Sequence, residues 1–205
     1  MRRLPALIIL FAILTLAGCA ATKDIIVAPG RVATTAAAGQ PTEKWTFWVR
    51  KVVDERQGEF AGDPRIGKLG KRFDENQTIV HLDMLPDKYL KDQLNLFLLN
   101  TGMGASATEK ARVFMDVTLT VFTVEVDKTS VLDKLDFSLD FDVKFYTPEG
   151  QYLGAVRLPE KRWIKLFSPF GSSQESLELL IRDTMASTFG LLAQSDVFKT
   201  ASELK

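Results

Sequence analysis

The chain has 205 residues, with 26 Lys and Arg against 26 Asp and Glu, one His, one Cys and 46% hydrophobic residues. One Cys excludes an internal disulfide framework, and one His beside it excludes the usual Cys/His zinc cages; no metal and no cofactor is expected. Zero net charge lacks the positive field that nonspecific nucleic-acid binding needs, and the length suits a single folded domain.

Met1-Arg2-Arg3 makes a positively charged start, and Leu4 to Leu16 is apolar except for Thr15, with Pro5 near its start. As a helix this run covers only about 20 Å, short of the roughly 30 Å hydrocarbon core, so residues 1–18 read as an export signal. Leu16-Ala17-Gly18-Cys19 resembles the bacterial lipobox, which implies cleavage before Cys19, a diacylglycerol on its sulfur and a further acyl chain on its amino group. Three chains make the attachment effectively permanent, since each buried CH₂ contributes about 0.8 kcal/mol. Ala20, where an Asp would favour retention in the inner membrane, points to the periplasmic face of a Gram-negative outer membrane. Loss of Arg2 and Arg3 leaves 24 basic and 26 acidic groups, a formal charge of −2.

Residues 19–44 read as the lipidated Cys and a flexible tether, rich in Ala, Thr, Gly and Pro, and residues 45–205 as one periplasmic domain. Within the tether Ile25-Ile26-Val27 is the exception, suited to a short edge strand. Trp45 to Val53 carries a strand signal, a polar stretch follows to Pro64, and weaker strand patterns lie at Arg65–Phe73 and Thr78–Asp83. Pro86 opens a helix with Leu90, Leu94, Phe97 and Leu98 on one face and Gly102 as its stop. Val113 to Val121 alternates apolar with polar, and Leu135 to Phe145 does so without a break. Thr147-Pro148-Glu149-Gly150 is a turn into a strand from Gln151 to Leu158, and a separate aromatic segment, Trp163 to Phe170, precedes the last helix. That helix opens on a capping box, Ser172-x-x-Glu175, and carries Leu177, Ile181, Met185 and Leu192 as its stripe, broadened by Leu180 and Phe189. The predicted class is α+β: an antiparallel sheet with two main helices packed on one face.

Several side-chain groups carry possible chemistry. Gly62 to Leu69 approaches a phosphate-binding loop, but Leu69 replaces the metal-binding Ser or Thr and Pro64 removes a cradle N–H. Arg65, Lys68, Lys71 and Arg72 form a basic cluster able to meet an anionic partner, although acidic neighbours favour a solvated hairpin rim. Asp136, Asp140 and Asp142 share one strand face, read as the solvated one. His81 stands without a nucleophile motif; as a general base it would need a pocket beside Asp54, Asp83 or Asp87. Asn76-Gln77-Thr78 matches a glycosylation sequon, which a bacterial lipoprotein does not normally use. Trp163, Phe167 and Phe170, with Trp45 and Trp48, either complete the core around the last helix or form partner contacts.

The chain resembles the YajG-like family of small Gram-negative lipoproteins. The features that carry this are the lipobox ending at Cys19, the stretch Ile25–Pro29, Val52-Val53-Asp54-x-Arg56 with a later Ile66-Gly67, the leucine-spaced helix ending at Gly102, a strand entered through Ala111 and the C-terminal amphipathic helix. The resemblance implies a periplasm-facing, lipid-anchored α+β domain without established enzymatic activity. The expected role is a non-enzymatic binding or scaffolding module for an envelope protein or peptidoglycan. Within that class it looks like the auxiliary lipoproteins of envelope transport systems or the activators of peptidoglycan synthases. The opposing reading is an envelope hydrolase built on His81.

Overall fold

The computed structural model describes residues 23–32, 46–69, 78–127, 134–165 and 173–203. Its centre is the strand with the unbroken alternation, β6 (Lys134–Tyr146). Leu135, Phe137, Leu139, Phe141, Val143 and Phe145 all point into the core and are at most 1% exposed. Strands β5 (Val113–Asp127) and β7 (Tyr152–Lys165) flank β6, each antiparallel to it along its whole length. The β6–β7 turn is the expected one: Gly150 adopts φ +90° and donates its N–H to the Thr147 carbonyl at 3.0 Å.

The alternation predicted from Val113 to Val121 ends at Leu119. Leu119 faces Phe141 whereas Val121 faces Asp140, so Thr120 is an extra residue, a β-bulge. One inserted residue swaps the two faces of a period-two pattern, and beyond it Phe122 and Val124 are the buried positions. The Thr120 hydroxyl donates to the Asp140 carbonyl at 3.0 Å. The second difference is β7, one strand where two separate segments are expected. It runs through Pro159 because it ends the sheet, where a missing N–H breaks no ladder.

Because β6 occupies one edge of β5, the strands on the other side must share the second edge. Strand β2 (Phe47–Asp54) pairs in parallel with Val113–Leu119, and β3 (Arg65–Leu69) in parallel with Val124 and Glu125. Strand β4 (Thr78–Leu82) lies antiparallel to β3, and β1 (Lys23–Val27) parallel to β4. The sheet therefore has seven strands and mixed pairing, with the path β1-β4-β3-β5-β6-β7. The predicted antiparallel arrangement holds for the meander β5–β6–β7 and for β3–β4.

Strands β2 and β3 follow one another in the same direction, and the loop between them is held by Arg56, whose side chain is 3% exposed. It donates to both oxygens of Asp54, to the Asp63 carbonyl at 2.8 Å and to the Arg65 carbonyl at 3.3 Å. Burial works to raise the Asp54 pKa, but hydrogen bonds from the Arg56 side chain and backbone outweigh it and hold the carboxyl below its ordinary value.

Strand β1 is the expected edge strand, and the fold also takes in residues 28–32 of the stretch read as tether. Val27 and Val32 are buried, and the Val32 N–H donates to Gln93 Oε1 at 2.9 Å. Lys23 is only the fourth residue after Cys19.

Helices α1 (Pro86–Asn100) and α2 (Ser173–Gln194) cover the apolar face. Tyr89 of α1 meets Phe122 edge-on at 6.3 Å, and Phe97 meets Phe189 of α2 at 5.4 Å. The predicted stripe of α2 is buried throughout, while Ser172 of its capping box lies outside the described residues. A third helix, α3 (Asp196–Glu203), was not apparent in the sequence; Ser195 Oγ accepts from the Phe198 N–H, and the Phe198 ring stacks on Phe47 at 4.4 Å.

A pair of glycines makes the packing testable. A Cβ on Gly67 would fall 2.1 Å from the Val124 carbonyl oxygen, whereas one on Gly190, within α2, would meet nothing within 4 Å. Gly67→Ala is expected to destabilise the domain by about 3 kcal/mol or more, as overpacking against backbone does. Gly190→Ala is expected to stabilise it by up to about 1 kcal/mol through helix propensity. Urea denaturation checks both, and a silent Gly67→Ala would refute the close β3–β5 approach.

Candidate functional site

Paired residues on neighbouring strands share a face, so the register assembles outward side chains into rows. At one end of the sheet Trp48, Phe114, Tyr146 and Tyr152 pair in turn across β2, β5, β6 and β7. The rings of Tyr146 and Tyr152 meet edge-on at 5.7 Å. The Arg50 guanidinium lies 5.1 Å from the Tyr146 ring centroid and 5.8 Å from that of Phe114, within cation–π range. At the other end a second row passes through Asp24, Ile79, Lys68, Glu125, Asp136 and Trp163. The buried side chains of the helices meet the opposite face, so this face is open among the described residues.

Along this face the carboxylates read as solvated turn out to be covered. Asp136 and Asp140 are buried, as is Asp116, while Asp142 is half-buried. The cause is the cationic side chains that neighbouring strands lay across them. Arg50 donates to both oxygens of Asp116 at 2.7 and 2.6 Å, Arg157 meets Asp140 at 2.5 Å, and Asp136 sits between Lys161 at 3.0 Å and Lys134 at 3.4 Å. The hydrogen bonds from Arg50 hold the Asp116 carboxyl below its ordinary range, against the opposing effect of burial. The face is thus a ladder of paired charges ending in an aromatic row.

The other candidate residues occupy distinct places. Arg65 and Lys68 are engaged within their own loop: Arg65 lies 2.7 Å from Asp63 and Lys68 2.7 Å from Glu59, and both cations approach the Phe60 ring. The Arg65 hydrogen bonds pull the Asp63 carboxyl below its usual value. Lys71 and Arg72 lie outside the described residues. The run that approached a phosphate loop ends in β3, which pairs with β4 and β5. His81 Nε2 is screened from solvent and 3.5 Å from Asp24 Oδ1, and Asp54 is taken up by Arg56. Two clefts of about 230 Å³ open elsewhere, one against Phe60 and Lys68 and one between Trp48 and Leu99; His81 lines neither. No cluster of three or more His, Cys, Asp or Glu is placed to hold a metal among the described residues.

Trp163 does not complete the core. It is 51% exposed on the open face, with Lys134 Nζ 4.6 Å from its ring centroid. Trp48 is half-buried in the aromatic row, and Trp45, Phe167 and Phe170 lie outside the described residues. The row itself was missed by sequence reasoning. Its signal was Phe114 in a polar slot of the β5 alternation and tyrosines on either side of the Thr147–Gly150 turn.

The Asp116 pair generates a pH prediction. A carboxyl whose folded pKa is depressed adds stability that is complete above its unfolded value, 3.8, and is lost as pH falls through the folded value. Asp116→Asn should cost about 1 kcal/mol near pH 7, a modest figure because the half-exposed Arg50 is screened by water. Urea titrations should show that deficit shrinking below pH 3.8. A deficit independent of pH would mean that the ion pair is not its source.

No family model and no curated protein matches the chain. A protein from Xanthomonas campestris, assigned to the family model DUF330, is similar to it at TM-score 0.63 and 13% identity, over 88% of this chain and 100% of its own. An uncharacterized protein is similar at TM-score 0.50 and 14% identity, over 85% of this chain and 98% of its own. A minor lipoprotein from Acinetobacter baumannii aligns at TM-score 0.41 and 13% identity, over 54% of this chain and 83% of its own. The likeness to the first two is one of fold: the chain has the same mixed α+β architecture.

Proposed function

We propose that the chain is a lipid-anchored cell-envelope lipoprotein of the YajG-like kind, attached through Cys19 to the periplasmic face of the outer membrane. It works without catalysis, as a binding module for an envelope protein or peptidoglycan. The anchor rests on the lipobox and on Cys19 as the chain's single cysteine. The binding role rests on one observation, the aromatic row Trp48–Phe114–Tyr146–Tyr152 on a face that no described helix covers. Aromatic side chains offer large contact area with few rotatable bonds, which is why they dominate the energetic centres of interfaces. Arg50, fixed between Asp116 and two rings, adds a cation whose position is already set.

Two measurements test this. Cys19→Ser should abolish incorporation of labelled palmitate and release the protein from the outer-membrane fraction; retention of both would refute the anchor. A photo-crosslinking residue at Tyr152 should give a discrete adduct in cells, while one at the exposed Leu191 of α2 should not. Absence of any adduct at Tyr152 would remove the support for a partner on the open face.

A further inference from the structure

We infer that the outer edge of the sheet, strand β1, is a membrane-contact surface, held against the phospholipid bilayer by the short link to Cys19. This rests on the lipid-anchor reading. Composition alone would allow the domain to swing on about 25 residues, or roughly 80 Å of extended chain. The structure places Lys23 in the sheet, paired with Thr78, only four residues after Cys19. Four residues span at most about 14 Å, and the headgroup layer that they must cross is itself about 5–7 Å thick. The start of β1 therefore stands within about 10 Å of the lipid surface even with the link fully stretched.

The link cannot lengthen by peeling β1 away without dismantling part of the core. All five residues of β1 pair with β4, Val27 is buried, and the segment behind it is tied down at three points. Ala28 N–H donates to Glu178 Oε1, Val32 N–H to Gln93 Oε1, and the Tyr89 hydroxyl to the Gly30 carbonyl. These contacts fasten the strand to both long helices. The face that β1 turns outward carries Asp24 and, seven residues from the lipidated Cys, Ile26. Ile26 is 60% exposed, an apolar side chain on the strand tethered nearest the bilayer. Interfacial lipid supplies the apolar contact that such a side chain lacks in water.

The test uses the full lipidated chain in phosphatidylethanolamine/phosphatidylglycerol vesicles. Acylation occupies the only native thiol, so Ile26→Cys or Tyr152→Cys adds a single site for an environment-sensitive fluorophore. Lipids brominated on their acyl chains are the quencher. The expected result is strong quenching at position 26 and none at position 152, in protein that floats with the vesicles. An unquenched label at position 26 in floating protein overturns the inference and leaves the anchor intact. Two labelled thiols per chain, in protein that does not float, overturn the anchor reading and this inference with it. Asp24→Cys, on the same outward face, repeats the measurement if the label at position 26 disturbs folding. A Gly/Ser insertion of about 12 residues between Cys19 and Lys23, adding roughly 20 Å of reach, should relieve the quenching. Quenching that survives the insertion would show that the link does not hold the edge in place.

Discussion

A guanidinium buried between two strands governs how this sheet is assembled. Strand β5 offers one edge to β6, and β2 and β3 must both lie along the other, in the same direction. The chain can do this only by leaving the sheet after Asp54 and returning at Arg65 without reversing. Arg56 fixes that excursion by holding the Asp54 carboxylate at its start and the Asp63 and Arg65 carbonyls at its end. Burying a charge costs several kcal/mol, and the cost is offset only when the partners are well placed. Here a bidentate carboxylate and two carbonyls supply them. The consequences spread along the path of the sheet: Arg56 aligns β3, β3 carries β4, and β4 carries β1. The edge strand β1 is therefore positioned by a contact two strands away.

The two faces of the sheet solve the burial problem differently. Inward, the β6 alternation places six large apolar side chains under α1 and α2, and dispersion and loss of apolar hydration do the rest. Outward, a carboxylate on β5 and two on β6 are covered by arginines and lysines from β2, β6 and β7 rather than by another layer. Such half-exposed pairs add little stability each. They do neutralise the carboxylates along this face and leave its two ends chemically different. One end carries the edge-on rings of Tyr146 and Tyr152 with Arg50 over Tyr146 and Phe114; the other is mixed in charge and ends in Trp163 beside Lys134.

Legibility followed periodicity. The helices α1 and α2, the β6 strand and the Thr147–Gly150 turn were readable because each has a local pattern that one side of the core enforces. The bulge at Thr120 was not, since a single extra residue reads as a slight blur in an alternating run until its partner strand is known. Phe122 and Val124 were the clue, apolar residues on the wrong parity. The parallel pairing of β1 with β4 and of β2 with β5 depends on contacts distant in sequence and leaves no short-range mark. The residues of the aromatic row are spread from position 48 to position 152, so only the register brings them together. The solvated reading of Asp136 and Asp140 failed for the same reason: Lys161 and Arg157, which cover them, come from another strand.

The register also gives the molecule a direction. Asp24 of β1 and Glu125 of β5 belong to one cross-sheet row, and Phe114 of the aromatic row lies eleven residues back along β5. At about 3.3 Å per residue that is roughly 36 Å of strand. The aromatic row and the charged row are therefore held at a fixed separation by the length of the sheet itself. A rigid spacer fixes the distance and the orientation of what it carries without the cost of ordering a linker. Phe114 and Glu125 stand near opposite ends of β5, so β5, which pairs with β2, β3 and β6, is the element that joins the two rows.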